Sequence, residues 1–170
     1  MIGEMVRKQP FGNRKVLDAA RKTMWSALVV LLLTTVHHLY GAYIYNTPWR
    51  HHVAIVSTVT AAILFASLHV LRTRTAGVAG KIAFRVFAVV TLVIPVVAIG
   101  IFEGGYNHAL KDALYFTGAS PGLMQQLFPP PTYEMPNDAF FEITGVLQLV
   151  PAATTGWYLI SAARAHLRSL

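Results

Sequence analysis

Residues 82–102 read IAFRVFAVVTLVIPVVAIGIF, an apolar run broken by a single charge, Arg85. A helix crossing a hydrocarbon core of ~30 Å needs ~20 mostly apolar residues at ~1.5 Å each, and this run is long enough. A membrane barrel would instead show ~10-residue segments of alternating polarity. Three further runs share the character of the first: about Thr23 to Ile44, Val53 to Leu71 and Ala139 to Ala163. The expected fold class is all-α, an integral membrane four-helix bundle with four transmembrane helices.

Composition points the same way. The 170 residues are 55% hydrophobic and only 12% charged, with a mean hydropathy of +0.51, too apolar for an ordinary soluble domain. Cysteine is absent, which excludes disulfide scaffolds, thiolate metal sites, covalent c-type haem and thiol chemistry. A pI near 10 would suggest nucleic acid in a soluble protein. Here the basic residues follow topology, so no nucleic-acid partner is expected and the partner in view is the lipid bilayer.

Arg7, Lys8, Arg14, Lys15, Arg21 and Lys22 precede the first span, Arg72, Arg74, Lys81 and Arg85 surround the second connection, and Arg164 and Arg168 follow the fourth span. Only Arg50 and Lys111 fall on the other side. The positive-inside rule then places both termini in the cytoplasm of a plasma-type membrane, such as the bacterial inner membrane. The first run lacks a small-residue cleavage site and reads as a retained helix rather than a signal peptide. Residues 1–22 form a basic tail, 23–163 a single four-span domain, and 164–170 a second tail. Trp25, Tyr40, Tyr43, Tyr45, Trp49, Trp157 and Tyr158 mark the interfaces.

The connections differ in length. Tyr45 to Trp49 makes a short hairpin, and Arg72 to Lys81 a short turn carrying Gly77 and Gly80, so spans one to three are antiparallel neighbours. The third connection, residues 103–138, reads as a long extracytoplasmic loop. It holds a short helix from His108 to Phe116, a break at Gly118 to Gly122, another helical turn from Leu123 to Phe128, and a stiff Pro129-Pro130-Pro131 spacer. Asn137 or Asp138 caps the fourth span. Pro95 and Pro151 loosen their helices, and Ala152 with Gly156 offers a small-residue face for close approach.

Ionisable residues inside spans are costly and usually mark sites. Thr34, His37, His38, Gly41 and Tyr45 share a stripe on the first span, and Glu142, Gly145, Leu149, Ala152 and Gly156 one on the fourth. His38 and Glu142 lie at comparable depth. Glu103 ends the third span, and His108 can close over the cluster. The candidate metal ligands are therefore His38, His108, Glu103 and Glu142, with His37, His51 and His52 behind them, since adjacent histidines point ~100° apart on a helix. Imidazole and carboxylate suit a transition metal ion, namely zinc, copper, iron or manganese. Glu103 and Glu142 are the candidate catalytic groups for proton transfer. Haem b ranks lower, because His38 and His69 lie at different depths and spans three and four hold no histidine.

The function expected is that of a polytopic membrane protein with an outward-facing histidine and carboxylate site, binding a transition metal or supporting redox or proton-transfer chemistry on a lipophilic small molecule. A non-catalytic anchor or assembly subunit, partnered with another membrane protein, is the first alternative. A small homo-oligomeric transporter is the second.

Overall fold

The computed structural model describes residues 11–74, 77–130 and 132–169, of which 11–13 by backbone only. Arg7 and Lys8 of the expected tail, residues 75–76 of the second connection and Pro131 of the spacer lie outside the described residues. All regular structure among the described residues is helical: α1 (Phe11–Ile44), a one-turn helix Pro48–His51, α2 (His52–Thr73), α3 (Val78–Phe116), α4 (Pro121–Leu127) and α5 (Ala139–Leu167), the last interrupted at Gln148. Four stretches are long and apolar enough to cross a membrane, Arg14–Ile44, Pro48–Thr73, Val78–Phe116 and Ala139–Leu167. They expose large apolar side chains such as Leu32, Ile55, Val93 and Val150, a surface suited to lipid and not to water.

α1 lies along α5 and packs on α2, while α3 bridges α2 and α5. Between lipid-bathed helices, association rests on close van der Waals contact and interhelical hydrogen bonds. Gly100 of α3 faces Ala152 of α5 so closely that a Cβ there would overlap the alanine methyl. Lower down, the Ser26 hydroxyl donates to the Pro151 carbonyl at 3.2 Å and accepts from Thr155 Oγ1 at 2.9 Å. Of the expected small pair, Ala152 makes the tight approach, and Gly156 has only Val96 nearby.

The buried stripe of α1 changes chemistry along its length. Ala20, Met24 and Ala27 pack with Leu64, Leu68, Phe87 and Leu159 near the terminal end, and Val30 and Leu31 with Ile99 and Ala152 at mid-bundle. One turn further the same face presents Thr34 and His37, both fully buried. The bundle is thus apolar toward its termini and polar at the end that carries the α1–α2 hairpin. Asn46 closes that hairpin with a left-handed φ of 50°, a conformation asparagine tolerates well.

α3 departs from the sequence reading. It continues past Phe102 to Phe116, so the connection to α5 spans residues 117–138 and not 103–138. Glu103, Gly104 and His108 look like loop because they are polar or glycine. They belong to a helix whose polar side faces protein, with Gly104 seated against the Gly145 carbonyl and Gln148. Over Leu92–Leu110 the helix is wound in the wide i→i+5 manner, a form that recurs at functional sites.

The fourth span starts at Asp138, whose Oδ1 accepts from the Phe141 N–H at 2.8 Å and whose Oδ2 accepts from the Tyr40 hydroxyl at 3.1 Å. Asn137 is instead the acceptor for Tyr45 Oη at 2.5 Å. Burial and neighbouring carboxylates push the Tyr45 phenol up to about 12, so it remains a donor. Asp138 both caps α5 and ties it to α1, and Asp138→Ala should cost about 1–2 kcal/mol, read as a lowered Tm in detergent. An unchanged Tm would show that neither bond contributes.

Candidate metal centre

At the hairpin end α1 and α3 bring three imidazoles to one carboxylate oxygen, and α5 backs them with Glu142 and Thr144. Glu103 Oε1 stands 3.6 Å from His37 Nε2, 3.5 Å from His38 Nε2 and 3.6 Å from His108 Nε2. His37, Glu103 and His108 form a group whose ligand atoms could hold a metal ion. Both members of the His37-His38 pair reach the oxygen, because it lies between their two directions; the rings meet edge to face, with centroids 5.1 Å apart.

Glu103 and His108 owe their convergence to the winding of α3. Five residues apart on an α-helix they would point about 140° away from each other; i→i+5 winding puts them on one face. Asn107 Nδ2 donates to Glu103 Oε2 at 2.6 Å and leaves Oε1 for the histidines. Across the interface, glycine at 145 makes the room for His108, since a Cβ there would overlap three of its ring atoms.

Each imidazole is anchored through its other nitrogen. His38 Nδ1 lies 3.0 Å from the Thr34 carbonyl, which only accepts, so that nitrogen carries a proton. His108 Nδ1 lies 2.7 Å from Glu142 Oε2, and the same holds against a carboxylate. His37 Nδ1 is 3.0 Å from Thr144 Oγ1. The Thr144 hydroxyl already donates to backbone carbonyls, Phe140 at 2.7 Å and Phe141 at 3.1 Å, so it accepts from His37. In their neutral form all three rings turn a bare Nε2 lone pair toward Glu103; a His108 ring protonated on both nitrogens would instead bridge Glu103 and Glu142. His37 Nε2 is buried without a hydrogen-bond partner among the described residues.

Glu142 is occupied elsewhere. Besides His108 it accepts from Lys111 Nζ at 3.1 Å, and that ammonium also donates to the Glu134 carbonyl at 2.8 Å. His108, Asp112 and Glu142 make a second group able to hold a metal by geometry, yet the Lys111 ammonium, 2% exposed, already sits 3.1 Å from Glu142 and 3.9 Å from Asp112. His51 and His52 are exposed and turn Nδ1 back to the Pro48 and Trp49 carbonyls at 2.7 and 2.5 Å.

Sequence reasoning passed over Thr144 and treated Lys111 and Arg50 only as topological charges. Lys111 carries a faint signal, one helical turn after His108. Thr144 carries none, since a hydroxyl two residues after Glu142 looks like any other span threonine.

No protein-family model, curated protein or solved structure matches the chain.

Two spaces flank the cluster. A cavity of about 260 Å³ opens over Glu103, His38 and His108, walled by Arg50, Lys111 and Glu134. On the other side of the His108–Glu142 pair, a groove of about 520 Å³ runs from Asp112 and Glu142 to Phe116, Ile143 and Leu147. Those last three side chains are exposed on the apolar surface of the bundle.

Proposed function

We propose that this membrane protein holds one transition metal ion between His37, His38, His108 and Glu103, and uses it in redox or proton-transfer chemistry on a lipophilic substrate. The observation that carries the reading is the convergence of three imidazole Nε2 atoms on one carboxylate oxygen, with His37 Nε2 buried and without a hydrogen-bond partner among the described residues. Lone pairs facing an anion repel unless a proton or a metal ion stands among them. Ligand atoms about 2.0–2.2 Å from a tetrahedral ion are about 3.3–3.6 Å apart; the three nitrogens lie 3.5–3.6 Å from Oε1, and the ligand atoms of His37, Glu103 and His108 all lie within 4.8 Å of one another, a group to which His38 is peripheral.

Three imidazoles with one carboxylate and no sulfur suit zinc, copper, iron or manganese. Glu142, Thr144 and the Thr34 carbonyl act as outer-shell partners that fix ring orientation and tautomer. Haem fits poorly: His37 and His108 lie edge to face with centroids 4.6 Å apart, leaving no space for a macrocycle between them. A bound ion would supply Lewis acidity or a redox couple. The Glu142–His108 pair links that site to the groove beside α5, a path for a proton between the cluster and a substrate entering from the bilayer.

The test is elemental analysis of protein purified in mild detergent without chelator, before and after loading with each of the four metals. Equimolar metal in the wild type, lost in His37→Ala while the protein still folds, is the expected result. No uptake of any of the four would overturn the reading.

A further inference from the structure

Arg50 is 5% exposed and lies in the one-turn helix Pro48–His51 beside the cluster. Its guanidinium carbon lies 5.3 Å from the Tyr45 ring centroid, 5.3 Å from that of Trp49 and 5.1 Å from that of Phe141. Among the described residues no acceptor bonds its side chain, no carboxylate reaches ion-pair distance, and Nη1 is buried without a partner. A buried cation left unpaired is costly, and cation–π contact returns only part of what it loses in leaving water. Gly41 makes the room, since a Cβ there would come within 2.6 Å of Arg50 Nη1. The chain thus builds a place for a guanidinium and, among the described residues, brings no carboxylate within ion-pair distance of it, though Glu103 and Glu134 line the same cavity.

Arg50 also lines the 260 Å³ cavity whose floor is Glu103 and His108. A guanidinium is planar, and its donor edge matches a carboxylate in two parallel hydrogen bonds. Glu103 and Glu134 share the walls with Arg50 and Lys111, so those four charges balance. A divalent ion below would add positive charge that a single monoanion reduces, whereas a doubly charged phosphate would meet more repulsion from the two glutamates.

We infer that this cavity binds a carboxylate-bearing ligand, its oxyanion held by Arg50 directly above the three-histidine cluster. The inference rests on the proposed metal site for what lies beneath the ligand, and on Arg50 alone for the anion.

Calorimetric titration of the full-length protein in detergent tests it, with acetate, decanoate and inorganic phosphate as probes, in metal-loaded and metal-free samples. Carboxylate binding is expected, weakened at least about 30-fold in Arg50→Gln and clearly weakened in Arg50→Lys, which keeps the charge but not the fork, while metal content stays unchanged in both variants. Should Arg50→Gln fail to fold, Arg50→Lys carries the comparison. Decanoate binding well above acetate identifies a carboxylate drawn from the bilayer; equal affinities identify a free small acid. Arg50-dependent carboxylate binding in a protein that takes up no metal supports the inference while sinking the metal reading. Binding of neither carboxylate, affinity indifferent to Arg50, or phosphate bound more tightly than both carboxylates overturns the inference.

Discussion

Glu103→Gln should abolish metal retention while leaving the fold intact. The substitution conserves volume, and the glutamine carbonyl can still accept from Asn107, which donates to Glu103 Oε2 at 2.6 Å. What disappears is the anion on which three imidazole nitrogens converge at 3.5–3.6 Å. Loss of an outer-shell partner alone costs about 10–100-fold in metal affinity. Removing the one carboxylate donor should exceed that, and competition with a chelator of known affinity measures it. Glu142→Gln should fall within the outer-shell range, because Glu142 meets the cluster only through the far nitrogen of His108, its other oxygen being held by Lys111. Equal losses in the two variants would mean that Glu103 is no more than a positioning group.

Gly145→Ala should be the most damaging change on α5. Its new methyl would overlap the His108 ring, and His108, 2% exposed, could move only toward the cavity and away from Glu142. Overpacking of this kind costs about 1–3 kcal/mol, and the displaced ring takes Nε2 out of the cluster, so Tm and metal content should fall together. In a His108→Ala background the same glycine substitution should cost almost nothing in Tm. That non-additivity is the decisive comparison, and independent, additive losses would show that Gly145 matters for another reason.

The helical spans were legible because crossing a bilayer demands little beyond apolar length, which Ile82 to Phe102 displays openly. The polar continuation of α3 was not. A segment running Glu103-Gly104-Gly105-Tyr106-Asn107-His108 has the composition of a turn, and only its burial against α5 explains why glycine and charge occur in a helix there. Glu103, His108 and Glu142 stood out by type, as ionisable groups near apolar runs. His37 ranked low because adjacent helical residues diverge, an argument that assumes the target lies straight ahead of one of them. Here the target lies between, and the buried member of the pair is His37. Asp138 was readable as a cap because that motif is local. Thr144 and Arg50 draw their meaning from partners a hundred or so residues distant or from the lack of any.

The wide winding of α3 also sets which length changes the chain can absorb. A one-residue deletion between Leu92 and Glu103 would slide every polar side chain after it against α1 and α5, and one between Glu103 and His108 would leave the two four apart, a pair that ordinary helical winding keeps on one face, while moving His108 and Lys111 out of step with Glu142. The stretch around Gly118, where φ is +82° and nothing crowds the Cα, has no such constraint. In most proteins insertions are absorbed by loops and helices merely lose a cap or a contact. Here the helix is the measured part of the molecule, and in more distant versions of this chain the count from Pro95 to His108 is the interval to expect unchanged.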